Sequence, residues 1–483
     1  MGYLMKIAFH TLGCKVNQYE SEAMAKEFRR KGHEIVGERE FADVYVINTC
    51  TVTAVADKKS RQYIRRMKKV NPDSIVAVTG CYAQIDPEAV TGIEGVDIVT
   101  GTNEKSTLPE YVERFAAEKA NQADDAKAGT AESASAAGKD PWTVIRDWKD
   151  LDTYEDTGII TSAENRTRAY IKIQEGCNRF CSYCVIPYAR GNIRSRDLGE
   201  IVEEAKQLIE AGYKEIVLTG INTALYGYDE PAASPGGQSA ASPEGEEIAA
   251  DNGEIYGVEK VIAALDRLPG NFRIRLSSLE PAVVNADYVR RLLKYERLCH
   301  HLHLSAQSGS DRILKAMNRP YDRSQYLQIV EALRSFDPWY GISTDIIVGF
   351  PGEKERDFED SLSLVQICDF CKVHAFKYSR RPKTLAASMK EQVSPQVKNR
   401  RSDLLQEAGN RAAAGFCEKN LGRQQIVLIE EYLPRDGVVT GYTGNYIRVY
   451  IRCTEEAAGE LLNTFRQVRL TESFRDGCIA LIL

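Results

Sequence analysis

The stretch EGCNRFCSYC places three cysteines, Cys177, Cys181 and Cys184, in a C-x3-C-x2-C spacing. Thiolates are soft ligands for iron or zinc, and three of them leave one position of a four-coordinate centre open. A structural zinc site closes with four ligands and favours a second C-x2-C knuckle. The nearest such pair, Cys368 and Cys371, comes far along the chain and leads into a separate strand. Thiol redox chemistry needs a single C-x-x-C, which Cys181 and Cys184 supply while Cys177 stands idle. An iron–sulfur cube held by three thiolates fits best. Its open iron can take a small molecule by that molecule's own donor atoms.

Three further cysteines share a topological position. The runs MKIAFHT, DVYVINT and SIVAVTG are short, apolar and rich in β-branched residues, and each leads into a cysteine: Cys14, Cys50 and Cys81. Helix-patterned segments, YESEAMAKEFRRKG and AVADKKSRQYIRRMKKV, separate them. Strands joined by helices run parallel, so their carboxyl ends share one sheet edge, where ligands bind. Three cysteines distant in sequence are therefore expected to converge as a second ligand cluster; the alternative is three unrelated buried thiols. Cys299, Cys417, Cys453 and Cys478 read as packed side chains.

The elements that position these groups fall into three domains, as a length of 483 residues suggests. The fold class is α/β: an amino-terminal parallel α/β domain (1–118), a central partial (β/α)6 barrel (165–383) and a small antiparallel β-barrel (420–483). Residues 119–164 read as a linker, unstructured over 119–140, and 384–419 as a helical connection without a partner of its own. The six central strand candidates are YIKIQ, EIVLTG, FRIRLSS, HLHLSA, ISTDIIVG and KVHAFKYS. An insertion at 229–254 holds seven acidic residues and no Lys or Arg, and reads as a surface loop. With 43% hydrophobic and 27% charged residues, the chain has ample material for a core. It has no apolar run long enough to span a membrane and no secretory leader, which points to the cytoplasm. Twelve cysteines in that compartment are not a disulfide scaffold. The net charge of −6 gives no sign of nucleic acid, although a local basic face can still carry phosphate contacts.

With its surroundings, the cysteine motif resembles the radical S-adenosylmethionine superfamily. TLGCKVNQYES, VINTC and TGCYAQ resemble the amino-terminal domain of the methylthiotransferases. EGCNRFCSYCVIPYARG, LSSLEP, HLHLSAQSGSD and TDIIVGFPGE resemble that family's radical domain, and the last domain looks like its RNA-binding TRAM barrel. The resemblance implies two [4Fe–4S] clusters, the first on Cys14, Cys50 and Cys81, concerned with sulfur delivery. The second, on Cys177, Cys181 and Cys184, chelates S-adenosyl-L-methionine, which serves as radical source and methyl donor. It further implies an electron donor such as flavodoxin or ferredoxin, and hydrogen abstraction from an unactivated carbon followed by insertion of methylthio sulfur. Lysine and valine after Cys14 resemble the branch acting on N6-threonylcarbamoyladenosine at tRNA position 37. Methylthiolation of isopentenyladenosine or of a ribosomal-protein aspartate, and a non-catalytic iron–sulfur RNA-binding protein, are the alternatives.

By strand position, several groups are expected at the cofactor rim. Tyr183 and Ile186 follow the second cysteine set and should shield the radical source. Gly220 and Asn222 end one strand, and Ser277, Ser278, Glu280, Ser305, Gln307 and Asp345 end others. In a radical domain these would bind ribose, amino group or carboxylate; otherwise they are structural hydrogen-bonders. Contact with the tRNA anticodon stem-loop is expected from the basic helix bearing Lys58, Lys59, Arg61, Arg65 and Arg66. Arg380, Arg381, and Tyr442, Tyr446 and Arg448 of the last domain complete that set. His300, His301 and His303 read as packing or hydrogen-bonding strand residues.

Overall fold

The computed structural model describes residues 4–127, 141–159, 167–229 and 255–483. They form two compact units. The first takes Met1–Ile160 with Glu175–Arg179 and Cys184–Arg194; the second takes Thr161–Gln174, Phe180–Tyr183 and Ser195–Leu483. Glu175–Arg179 and Cys184–Arg194, which carry Cys177 and Cys184, thus belong to the amino-terminal unit, whereas the sequence reading puts the whole motif in the central domain.

The first unit runs β1 (Lys6–Thr11), α1 (Lys15–Arg30), β2 (Glu34–Val36), β3 (Val44–Thr49), α2 (Ala54–Val70), β4 (Ile75–Gly80), α3 (Cys81–Ile85), α4 (Pro87–Thr91), β5 (Ile98–Thr100), α5 (Leu108–Lys127) and β6 (Trp142–Val144). The strands form one sheet in the order β2-β1-β3-β4-β5-β6, parallel throughout. β3 and β4 are buried along their whole length because helices cover both faces. Tyr45, Ile47, Val76 and Val78 meet Ile64 and Met67 of α2 on one face. Val44, Val46, Ile75 and Ala77 meet Met24 and Phe28 of α1 and Leu108 of α5 on the other. Two features depart from the sequence reading. α5 continues to Lys127, since its alanines, glutamates and lysines lack a core pattern yet are the strongest helix formers. β6 comes from the expected linker and adds a sixth strand to the sheet. The rest of 119–140 lies outside the described residues.

In the second unit β7 (Arg168–Glu175) opens the alternation; α6 (Ile186–Arg190), next in the chain, belongs to the first unit. There follow β8 (Arg194–Ser195), α7 (Leu198–Glu210), β9 (Glu215–Gly220), α8 (Val258–Asp266), β10 (Arg273–Leu276), α9 (Ala286–Leu292) and β11 (His301–His303). Next come α10 (Asp311–Ala316), α11 (Arg323–Phe336), β12 (Gly341–Val348), α12 (Glu355–Cys368), β13 (Lys372–Lys377), α13 (Leu385–Ser388) and α14 (Pro395–Lys419). Two sheets, β10-β9-β7-β8, parallel through β10, β9 and β7, and β11-β12-β13, parallel throughout, are linked by the single bridges Ile274–Leu298 and Leu279–Leu304. α14 is not partnerless: it packs along β13 and α12, and its Arg401 meets Glu353 at 2.6 Å. Of the acidic insertion only Asp229 is described, and it accepts the Ser195 backbone N–H at 2.7 Å.

The chain ends in β14 (Gln424–Leu433), β15 (Val438–Thr443), β16 (Arg448–Arg452), α15 (Glu455–Leu461), β17 (Phe465–Phe474) and β18 (Gly477–Ile482). These five strands close into a barrel, β14-β15-β16-β18-β17, through one parallel pair, β16 and β18. Val427, Val439, Val449, Val468 and Leu470 fill it, with Phe416 of α14 packed against them. Among the described residues no helix is long and apolar enough to cross a membrane.

A buried charge knot ties this barrel to the central strands. Glu215 is fully buried and takes Arg273 at 2.5 Å, Arg275 at 2.9 Å and Arg168 at 3.4 Å. Arg168 also pairs with Glu430, while Arg273 and Arg275 donate to the carbonyls of Tyr442, Thr443 and Gly444. Burial alone would raise the Glu215 pKa, but the three guanidiniums outweigh it and hold the carboxyl well below the usual carboxylate range. Its folded pKa is depressed, so its stabilisation is present above the unfolded carboxyl value and is lost only as pH falls through the lower folded one. Glu215→Gln should leave three buried guanidiniums undercompensated and cost about 3–5 kcal/mol. A lower urea midpoint than wild type is the expected result.

Candidate active site

The carboxyl ends of β1, β3 and β4, neighbours in the sheet, deliver Cys14, Cys50 and Cys81 to one edge. Cys14 caps α1 and is exposed, Cys50 follows β3, and Cys81 opens α3; the last two are buried. Gly13 lies at φ 109°, and a Cβ there would stand 2.7 Å from Cys50 Cβ. Any side chain would therefore push the Cys14 loop off the Cys50 thiol. Asn17 holds the loop to the strand ends, its Nδ2 donating to Leu12 O at 2.7 Å and Thr49 O at 2.9 Å. Burial pushes the Cys50 thiol up to about 12, with Cys81 and Cys14 close enough to add to the rise. Burial also raises Cys81, opposed by the Arg190 charge.

Arg190 is the hub of this edge. All five of its N–H groups are spent within the fully buried network: Nε on Cys81 Sγ at 3.1 Å, Nη1 on Glu175 at 2.6 Å and on Glu20, Nη2 on Asn17 Oδ1 at 2.7 Å and Glu20 at 3.2 Å. Lys105 supplies a second cation, 3.0 Å from Glu20, and Arg194 a third, 3.8 Å from Glu175. Around it Cys81 and Ile85 pack on Val185 and Ala189. The guanidinium donating to Cys81 Sγ works against that burial and toward the thiolate form a metal ligand needs.

The second trio sits on the loop between β7 and α6. Gly176, at φ 74°, faces the Asn192 carbonyl so closely that a Cβ would collide with it, and Cys177 N–H donates to Gly191 O at 3.0 Å. Ser182 is anchored separately, its N–H on Met317 O at 3.0 Å and its Oγ on Ala316 O at 2.8 Å. Cys181 Sγ accepts from Arg319 Nη1 at 3.4 Å. At each place a guanidinium stands against one sulfur, Arg190 at Cys81 and Arg319 at Cys181, and three thiols with such a partner suit an iron–sulfur cluster. Among the described residues His303, Asp345 and His374 bring one ligand atom each within 4.8 Å of the others.

At the rim expected for a cofactor the structure gathers a polar chain in the second unit. Asn222 N–H donates to Gln174 Oε1 at 2.9 Å, and its Nδ2 donates to Glu280, which also receives Arg319. Gly220 ends β9 against Gln174, where a Cβ would stand 2.9 Å from the Gln174 carbonyl oxygen. Ser277 N–H pairs with Leu218 O, while Ser278 gives its carbonyl to Thr223 Oγ. Tyr183 packs with Ile313, Met317 and Phe350, and Ile186 opens α6. Ser305 and Gln307 are drawn instead toward Asp345: Ser305 Oγ lies 3.4 Å from Asp345 Oδ2, and Gln307 N–H donates to Asp345 O at 2.8 Å. Asp345, expected with the cofactor groups, is therefore held by a different set of neighbours.

The RNA candidates divide. Lys58, Lys59, Arg65 and Arg66 are exposed along α2, while Arg61 turns back to Tyr82 Oη at 2.9 Å. Arg380 is exposed, but Arg381 is buried and presents no surface charge. Tyr442 and Tyr446 do not offer free ring faces. They stack on each other at 4.9 Å, with Arg168 over Tyr442 and Arg275 and His301 against Tyr446. They dock the terminal barrel on the central strands, with two guanidiniums of the Glu215 knot against their rings. Arg448 is half-buried, on Thr440 and Asp476.

Comparison with known proteins bears on the same residues. Residues 6–101 match the uncharacterized protein family UPF0004 and residues 171–365 the Radical SAM superfamily. The threonylcarbamoyladenosine tRNA methylthiotransferase MtaB of Bacillus subtilis is 37% identical over 460 residues, 94% of this chain and 92% of that one. The chain belongs to the methylthiotransferase family. Another member, the MtaB of Thermotoga maritima, is 34% identical over 98% of this chain and 96% of its own length. A tRNA-2-methylthio-N(6)-dimethylallyladenosine synthase of Clostridium tetani is 35% identical over 87% of this chain and 83% of its own. Among solved structures, the radical S-adenosylmethionine methyltransferase TsrM of Kitasatospora setae aligns with a TM-score of 0.54 and 14% identity over 80% of this chain and 77% of that one. That likeness concerns the fold.

Within this methylthiotransferase, sequence reasoning missed Arg190, Glu20, Asn17, Glu175 and Arg319. Glu20 and Arg190 lie far apart in the chain, and nothing in periodicity marks them as partners. The one available signal was YARG directly after the cysteine loop, an arginine in an otherwise apolar segment.

Proposed function

We propose that this chain converts N6-threonylcarbamoyladenosine at position 37 of tRNA to its 2-methylthio form. The reading is carried by one observation: two three-cysteine sites at strand ends, in a chain similar along nearly its whole length to relatives named for that reaction. When bound, [4Fe–4S] clusters on Cys14, Cys50 and Cys81 and on Cys177, Cys181 and Cys184, with S-adenosylmethionine at the second, supply sulfur, a methyl group and one-electron cleavage of the sulfonium. The protein's own share is placement. Glu280, Asn222 and Arg319 orient the cofactor's charged end beside Cys181, with Gly220, Ser277 and Ser278 on the same rim. Tyr183 and Ile186 keep water from it. Arg190 fixes Cys81 and the base of the second loop at once. Adenine C2 has no leaving group and little acidity, so positioning and exclusion of side reactions are what the protein must contribute.

The exposed basic stripe of α2 and the terminal barrel, read as TRAM-like, would grip the anticodon stem-loop. Each neutralised phosphate adds roughly 0.7 to 0.9 to the salt slope of binding. The electron donor is a flavodoxin- or ferredoxin-type protein, and the working location is the cytoplasm. Relatives named for dimethylallyladenosine are also similar, so the product decides. Reconstituted enzyme incubated anaerobically with bulk tRNA and, separately, with ribosomes should yield 2-methylthio-N6-threonylcarbamoyladenosine in digested tRNA by mass spectrometry. A modified ribosomal protein with unmodified tRNA would overturn the reading.

A further inference from the structure

The side of β11–β13 away from α11 carries a polar group that the cofactor rim does not use. Thr344 Oγ and Leu304 O meet Tyr326 of α11, so strand alternation turns His303, Ser343 and Asp345 to the opposite face. His303 Nε2 lies 3.2 Å from Asp345 Oδ2, and its Nδ1 lies 3.0 Å from Ser343 Oγ. Both ring nitrogens are thereby engaged, and Ser305 adds a hydroxyl to the same carboxylate. Asp345 is thus aimed rather than merely present. Its register partner on the edge strand β13 is His374, an exposed imidazole whose ring centroid is 5.9 Å from that of His303. Beside them Gln307 adopts φ 62°, a strained conformation for a residue with a side chain, and its backbone pairs with Asp345 O and Ile347 N.

We propose that Asp345 and His374 form the subsite for the polar substituent on the substrate adenosine, with His303 as the positioning residue for Asp345. The inference rests on the substrate reading above. A threonylcarbamoyl group carries N–H and O–H donors, which Asp345 accepts, and a carboxylate, to which the His374 ring N–H donates. A dimethylallyl group carries neither, and covering this pair with it would leave a carboxylate and an imidazole without water or partner. The subsite therefore selects against the apolar substituent as much as for the polar one. A divalent ion is the competing occupant, since one ligand atom from each of His303, Asp345 and His374 lies within 4.8 Å of the others, and addition of a chelator decides for or against it.

Binding of anticodon stem-loops bearing threonylcarbamoyl-A37, dimethylallyl-A37 or unmodified A37 to cluster-loaded full-length protein tests this. Wild type should prefer the threonylcarbamoyl loop. His374→Phe and Asp345→Asn should each reduce that preference about tenfold to a hundredfold, and His374→Gln, which keeps a donor, should restore most of it. Wild type without the preference would overturn the substrate reading itself. A wild-type preference that survives both substitutions would overturn only the subsite. A preference lost on adding a chelator, with cluster absorbance unchanged, would assign the trio to a metal ion and equally overturn direct contact.

Discussion

The triple variant Cys14→Ala, Cys50→Ala, Cys81→Ala is expected to cleave S-adenosylmethionine reductively yet make no methylthio nucleoside. The three residues stand at one end of a parallel sheet, and the clusters packed on the two faces of β3 and β4 contain none of these thiols. Cys14 is exposed, and the buried pair, Cys50 and Cys81, lie at strand ends. Alanine there removes ligands while leaving the strands that carry them. The other trio keeps its own anchors, at Gly191 O for Cys177 and at Met317 O for Ser182. Methylthiolation should fall by more than about a thousandfold, since sulfur delivery has no substitute, whereas 5′-deoxyadenosine formation stays within about threefold of wild type. Anaerobic product analysis with tRNA measures both in one sample. Residual thiolation by the variant would remove Cys14, Cys50 and Cys81 from the chemistry.

Arg190→Ala should be the most damaging single substitution in the first unit. It strips Glu20 and Glu175 of their main cation inside a fully buried site, which costs about 3–5 kcal/mol for a buried pair broken on one side. It also removes the donor to Cys81 Sγ. The expected result is an earlier thermal transition together with loss of iron from the first site. Arg190→Lys separates the two effects. A lysine retains charge for the carboxylates but cannot reproduce five donors in a planar fork. It should recover most of the melting temperature and little of the iron retention. Full iron content in both variants would make Arg190 a packing residue only.

The parallel sheet with cysteines at its ends, the six β-α repeats and the closing barrel were legible because hydrophobic runs of strand length alternate with helical periods. Parallel direction, with the carboxyl ends at one edge, then follows from the helical crossovers. What stayed hidden is of another kind. The Arg190–Glu20–Glu175 knot joins residues that no local pattern pairs, and burial of a charge is invisible until its partners converge. α5 ran further than composition suggested because alanine-rich sequence is equally poor in core and rich in helix propensity. Tyr442 and Tyr446 are legible only by residue type, and aromatic rings beside arginines fit RNA and intramolecular docking alike; that Arg168 and Arg275 of the Glu215 knot lie against these rings is not written in the sequence. His303 was rightly a strand residue with a hydrogen bond, but which carboxylate it held could not be read from HLH alone.

Anaerobic iron and sulfide analysis of the wild-type chain, beside the two triple-cysteine variants, tests the central claim most directly. About eight irons per wild-type chain, and about four in each variant, are predicted for a cube on each trio. Zinc in place of iron, or a variant that keeps the wild-type iron content, would contradict it.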